Sequence, residues 1–305
     1  MSQKTKGDFL SRSKGSKRLI SFHISENRHV LHAIIASLAF MAVWTPYRYV
    51  TPILISKGIS MREVDLFVKP LVKSGIVFLC LKFLDRIPKN LYLQELGIKR
   101  DGLFKGIFLG AFIWFLYTIV WQYAILCLSE GELFYPNLRI AISNPLEYLL
   151  NLSYYVLIVG LFEEMFARGY ILKELCLGIG RKLSLIVAIL ASACLFSLFH
   201  LPIDIFVMRY GLIQIQYHLF FTFLFSILAG HLFIRSGWQI SGVVVLHGLI
   251  DTSPFFSLIS LDVKLQFMGR GSIIAYLLSF SISVLVIETL YRATKRKRKG
   301  FLHPY

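Results

Sequence analysis

The chain has 305 residues, 56% hydrophobic and only 16% charged, with a mean hydropathy of +0.66; soluble domains run near about 25% charged, so the bilayer rather than water is the expected solvent. The formal charge of +16 invites a nucleic-acid reading, but much of it sits in two tails: Lys4, Lys6, Arg12, Lys14, Lys17, Arg18 and Arg28 at one end, and Arg292 with Lys295 to Lys299 at the other. Such tails beside membrane spans set topology or touch anionic lipid. With no basic helix or aromatic RNA motif beside them, nucleic acid is not an expected partner.

Uncharged runs near the length that crosses about 30 Å of hydrocarbon recur along the chain. They place spans near 30–56, 66–84, 103–128, 145–172, 184–201, 212–234, 238–256 and 271–291. The fold class is therefore all-α, a polytopic membrane bundle of about eight transmembrane helices. The first run follows about 28 mostly polar residues, so it is expected to stay as an anchor and not to be cleaved as a signal peptide. It contains Pro46 and Arg48; the second contains Lys69, Pro70 and Lys73, so either is expected to kink, tilt or lie partly in the interface. The segments from Arg86 to Lys105 and from Arg168 to Lys182 are basic, whereas Glu130 and Glu132 mark an acidic one. By the positive-inside rule the basic segments and both tails lie in the cytoplasm, and the acidic loop lies outside. Cys80, Cys127, Cys176 and Cys194 form no CxxC pair and sit in or beside apolar runs, predicting neither a disulfide nor a zinc site. No internal repeat is visible, which weakens a transporter built from inverted repeats.

The fourth span opens with a capping signal: Asn144 as cap, Pro145 at the first helical position and Glu147 three residues on. A helix should run from there through Glu163. Ionisable residues within a span are costly, so each is a functional candidate. Three clusters qualify: Glu163-Glu164-Met165-Phe166-Ala167-Arg168, Phe196-Ser197-Leu198-Phe199-His200 and His247-Gly248-Leu249-Ile250-Asp251. Glu164 and Arg168 are four apart and can pair on one face, while Glu163 is rotated about 100° away and left free. A buried salt bridge needs only one Glu and one Arg, so the second Glu points to function. His200 alone could simply anchor a helix end before Pro202. His247 and Asp251 share a helix face, a spacing that suits two metal ligands, a carboxylate-oriented histidine, or merely a bond between helices. Gly178 and Gly180, followed by Arg181 and Lys182, predict a tight turn that folds spans four and five into a hairpin. Glu163 and His200 lie about 16 and about 21 residues from a turn near Ile179, a depth mismatch of about 8 Å, within reach of one site. Gln214, Gln216 and His218 line the cleft or bond across helices, and His231 falls near a cytoplasmic end.

EExxxR, FxxxH and HxxxN/D, in this order in an apolar chain, resemble the CPBP family of CAAX proteases and bacteriocin-processing enzymes. The resemblance covers about 145–255, with Leu96-Gly97-Ile98 a softer similarity. It implies an intramembrane endopeptidase with Glu163, His200, His247 and Asp251 as catalytic residues, and with Glu164, Arg168 and Phe196 shaping the site. Asp251 stands where the family often has Asn, which makes His200, His247 and Asp251 candidate ligands should a zinc ion be used. The chain then divides into a basic tail (1–28), N-terminal helices (29–144), a protease-like core (145–255), a last transmembrane region (256–291) and a second basic tail (292–305).

The expected chemistry is hydrolysis by a water that Glu163 deprotonates and His200 and His247 polarise, directly or through a metal. Asp251 would orient His247. The expected partners are the lipid bilayer and a peptide or protein substrate, itself membrane-associated. The expected location is a bacterial cell membrane. Two other readings stay open: a transporter or channel using buried Glu, His and Asp as a proton or cation path, and a family member that has lost catalysis and serves as a scaffold or immunity factor.

Overall fold

The computed structural model describes residues 11–130, 139–140, 144–179, 184–252, 254, 256–257 and 270–300. Gly180, Arg181, Lys182 and Glu132 lie outside them. The helices are α1 (Ser11–Ser56), α2 (Met61–Phe83), the short α3 (Tyr92–Glu95), α4 (Leu103–Glu130), α5 (Pro145–Gly178), α6 (Leu185–Val207), α7 (Leu212–Arg235), α8 (Ser241–Asp251) and α9 (Arg270–Gly300). A two-residue antiparallel pairing, Arg139 with Ser257 and Ile140 with Phe256, joins the segments beyond α4 and α8.

Six of these helices are long and apolar enough to cross a membrane, including Arg28–Ser56 within α1. Their outer faces carry Leu38, Phe104, Phe108, Leu212 and Leu285, each more than 60% exposed, which fits contact with lipid chains and would be costly in water. Two expected spans depart from that pattern. α2 has the length but carries Asp65, Lys69 and Lys73 at a four-residue spacing, all buried; the charges face the bundle instead of lying at the interface. It begins earlier than expected because Ser60 and Glu63 form a capping box, the Ser60 amide donating to Glu63 at 2.7 Å and the Glu63 amide to the Ser60 hydroxyl at 3.2 Å. α8 has 11 residues and so rises only about 16 Å, half a bilayer core. The run 238–256 is apolar because the helix is enclosed by protein, with Ser241 to Val244 and Leu246 to Gly248 buried.

Glycines let α8 sit this deep. A Cβ on Gly110 of α4 would lie 2.1 Å from the Gly242 carbonyl oxygen, and one on Gly248 would lie 2.5–2.7 Å from Val156 of α5. Apolar helices gain little from excluding lipid, so close backbone approach through small residues drives their packing. Gly110→Val should therefore force α4 and α8 apart and destabilise the protein by about 1–3 kcal/mol, seen as a lower midpoint in detergent-resistant unfolding.

α1, α5 and α6 meet through tilted and edge-on aromatics, with Phe40 4.8 Å from Phe166 and 5.0 Å from Phe199, and Phe166 5.6 Å from Phe199. Residues 166 and 199 thus stand at one level, as the expected hairpin requires. Leu96-Gly97-Ile98 docks against both other parts of the core. Gly97 adopts φ +80°, and its carbonyl accepts from the Ile240 amide at 3.0 Å. Gly169 of α5 leaves room for the Leu96 carbonyl, 2.8 Å from where its Cβ would be.

Candidate active site

α5 starts as its sequence dictates: Asn144 accepts from the Glu147 amide at 3.2 Å, and Pro145 takes the first turn. It then widens into π-helical turns over Tyr155–Gly160 and Met165–Leu172, leaving one ordinary α turn, Leu161–Glu164, between them. Such widened turns recur at functional sites because they redirect neighbouring side chains. Here they bracket Glu163 and Glu164, which point to different partners.

Glu164 accepts from Arg168 at 2.9 Å and from His247 Nδ1 at 2.6 Å, through the same oxygen. All three side chains are buried. The Arg168 guanidinium lies 4.3 Å from the centre of the Phe196 ring and 5.5 Å from that of Phe225. This aromatic cover compensates part of its desolvation. The expected Glu164–Arg168 pair is thus present, and Arg168 is a buried helical residue, not the start of a basic loop. Glu164 also takes the orienting role expected of Asp251. A carboxylate on Nδ1 fixes that nitrogen as the donor and turns Nε2 toward the opposite side. There it faces Asp251 at 3.4 Å and Glu163 at 3.8 Å.

Glu163 is not free. Lys73 and Lys69 reach its Oε1 at 2.7 and 3.2 Å, both from α2. Behind them Asp65 binds Arg48 through two contacts of 3.0 Å and also accepts from the Tyr47 hydroxyl. Sequence reasoning missed these two lysines as partners of Glu163. The legible signal was the Asp65-Lys69-Lys73 spacing, which puts all three charges on one helix face.

His200 closes the far side. Its Nδ1 donates to the Phe196 carbonyl at 2.8 Å, so Nε2 remains for other contacts. Its ring lies 4.9 Å from Phe196 and 5.4 Å from His218. His218 in turn meets the buried Asp204 at 2.7 Å. Gln214 instead caps its own helix, accepting from the Gly211 amide at 3.0 Å. Gln216 is exposed, and His231 lies 3.7 Å from Glu288 of α9.

Glu163, His200, His247 and Asp251, with Phe196, Lys69, Lys73 and His218, line one cavity of about 640 Å³. Its walls combine those polar groups with Trp44, Phe40, Tyr154 and Phe225. That size and mixture suit an extended peptide better than a lone ion. His200, His247 and Asp251 fit zinc poorly: among the described residues, the donors that gather within 4.8 Å of one another lie elsewhere, and two ammonium groups already occupy Glu163. The arrangement offers a held carboxylate, two imidazoles and an apolar groove, the components of peptide hydrolysis by an activated water.

No curated protein and no solved structure matches the chain. Residues 145–253 match the family model described as type II CAAX prenyl endopeptidase Rce1-like. The matched segment contains all three motifs and carries α5, α6, α7 and α8, the helices that hold Glu163, His200, His218 and His247. The match of residues 145–253 makes this segment similar to that family and supports a CPBP-type intramembrane endopeptidase of the CAAX class in general.

Proposed function

We propose that the chain is an intramembrane endopeptidase in which Glu163 is the general base and His200, His247 and Asp251 complete the catalytic group. The observation that carries this reading is the approach of Glu163 Oε2 to His247 Nε2 at 3.8 Å inside the cavity. That gap is too long for a direct hydrogen bond and short enough for one water beside it to touch both groups. The lysines hold Oε1, so Oε2 is the oxygen presented to that water. As the water oxygen adds to the scissile carbonyl, Glu163 takes its proton. His247, protonated on both nitrogens between Glu164 and Asp251, donates from Nε2 to the oxyanion, while His200, whose Nδ1 carries its proton, accepts a hydrogen bond through Nε2 and orients the water. When the tetrahedral intermediate collapses, the C–N bond breaks and the amine leaves with the proton from Glu163. A cation path is disfavoured because Lys69 and Lys73 place positive charge on the carboxylate such a path would need.

The substrate in this reading is a membrane-associated peptide or protein whose cleaved segment enters the cavity. Purified protein in lipid nanodiscs should generate new termini, detected by mass spectrometry, from farnesylated CAAX peptides or a peptide library. His247→Ala should remove them. A folded wild-type chain that cuts none of these probes would sink the proposal.

The orientation is also proposed: both tails lie in the cytoplasm of a bacterial cell, with the protease-like core spanning 145–255. Lys173 bonds the Glu95 carbonyl at 2.9 Å and His29 bonds Glu174 at 2.8 Å, so the start of the first span and both basic connections share one face of the bundle. In sealed vesicles, Lys14→Cys and Ser129→Cys should label from opposite sides. Labelling of both from one side would refute the arrangement.

A further inference from the structure

At that same face, well outside the cavity lining, four side chains from three separate elements meet. His29 and His32 are three apart on α1 and share a helix face. Asp85 follows α2, and Glu174 lies near the end of α5. Their donor atoms all lie within 4.8 Å of one another. Glu174 Oε2 stands between the imidazoles, 2.8 Å from His29 Nδ1 and 3.7 Å from His32 Nδ1, while Asp85 Oδ1 is 2.6 Å from His32 Nδ1. The Tyr170 hydroxyl donates to the other oxygen of Asp85 at 2.9 Å, fixing Oδ1 toward the cluster.

We infer that His29, His32, Asp85 and Glu174 form a binding site for a divalent transition metal of the zinc class, one that clamps α1 to α5 and to the connection after α2. Two imidazoles and two carboxylates make a complete four-ligand set for such an ion. The Tyr170 hydroxyl on Asp85 is the kind of outer contact that orients a metal-binding carboxylate. The side chains of His32, Asp85 and Glu174 are 6%, 9% and 8% exposed, and that of His29 is 25% exposed. Two carboxylates withdrawn from water in so small a space need compensating positive charge, and a divalent ion supplies it from one point. The more accessible His29 leaves a route of entry. Because the donors come from three elements far apart in sequence, the ion's role is to hold the bundle together, and it takes no part in hydrolysis.

The test uses the full-length protein in detergent, stripped with a chelator and titrated with zinc against a chromogenic indicator, with cobalt spectra as a second readout. The expected result is saturable uptake of about one zinc per chain, a raised unfolding midpoint, and a visible cobalt absorption of low-coordinate type. His29→Ala, at the most exposed ligand, should weaken binding by about ten-fold or more. Glu174→Gln should do the same, and His247→Ala should leave it unchanged. Absence of saturable binding, or hydrogen bonding among the four side chains with no response to zinc, overturns the inference. So does binding that survives His29→Ala and is lost in His247→Ala, which would place the ion in the cavity. None of these readouts depends on peptidase activity.

Discussion

Glu163→Gln is expected to lower peptide cleavage by about 10²–10⁴-fold, the usual contribution of a positioned general base. Loss of activity alone would be ambiguous, because the same change strips Lys69 and Lys73 of their shared carboxylate. Lys69 keeps Asp65 at 3.7 Å, whereas Lys73 is left buried with its charge and, among the described residues, without a second carboxylate in ion-pair reach. The single variant should therefore lose stability as well as activity, contrary to the sequence-based picture of a free Glu163. Glu163→Gln combined with Lys73→Met removes both charges and should recover much of the stability while activity stays absent. Turnover near the wild-type rate in either protein would remove Glu163 from the mechanism.

A larger structural effect is expected at Glu164. Its carboxylate joins α5 to α8 by holding Arg168 and His247 together with no exposure to solvent. Glu164→Gln leaves the Arg168 guanidinium buried against Phe196 and Phe225 without its counter-ion. Breaking one partner of a buried pair costs about 3–5 kcal/mol, which should appear as a marked drop in the unfolding midpoint and in the yield of monodisperse protein. Activity should fall with it, because His247 loses the contact that fixes Nδ1 as donor. Glu164→Asp, which keeps the charge, should retain part of both properties. Unchanged stability in Glu164→Gln would mean that the triad is not what holds α8 at this depth.

The amino-acid sequence by itself determined the solvent, the helical class and the local pairing. Long uncharged runs leave no other environment for their side chains, and a backbone in hydrocarbon must bond within its own segment, so the helices follow. Helical spacing also settled that Glu164 meets Arg168 and that Glu163 points away from it, since that geometry repeats in any regular helix. The motifs Glu163-Glu164-xxx-Arg168, Phe196-xxx-His200 and His247-xxx-Asp251 could be read for the same reason: each lies within about one turn. What Glu163 points toward was decided only by the packing of α2 against α5, where Lys69 and Lys73 arrive from about 90 residues earlier in the chain. The orienting partner of His247, the half-length α8 and the gathering of His29, His32, Asp85 and Glu174 are likewise contacts between helices. Periodicity fixes which face a residue occupies on its own helix. It does not fix which helix lies opposite, because that depends on close glycine approaches such as Gly110 with Gly242, which acquire meaning only when both backbones are in place.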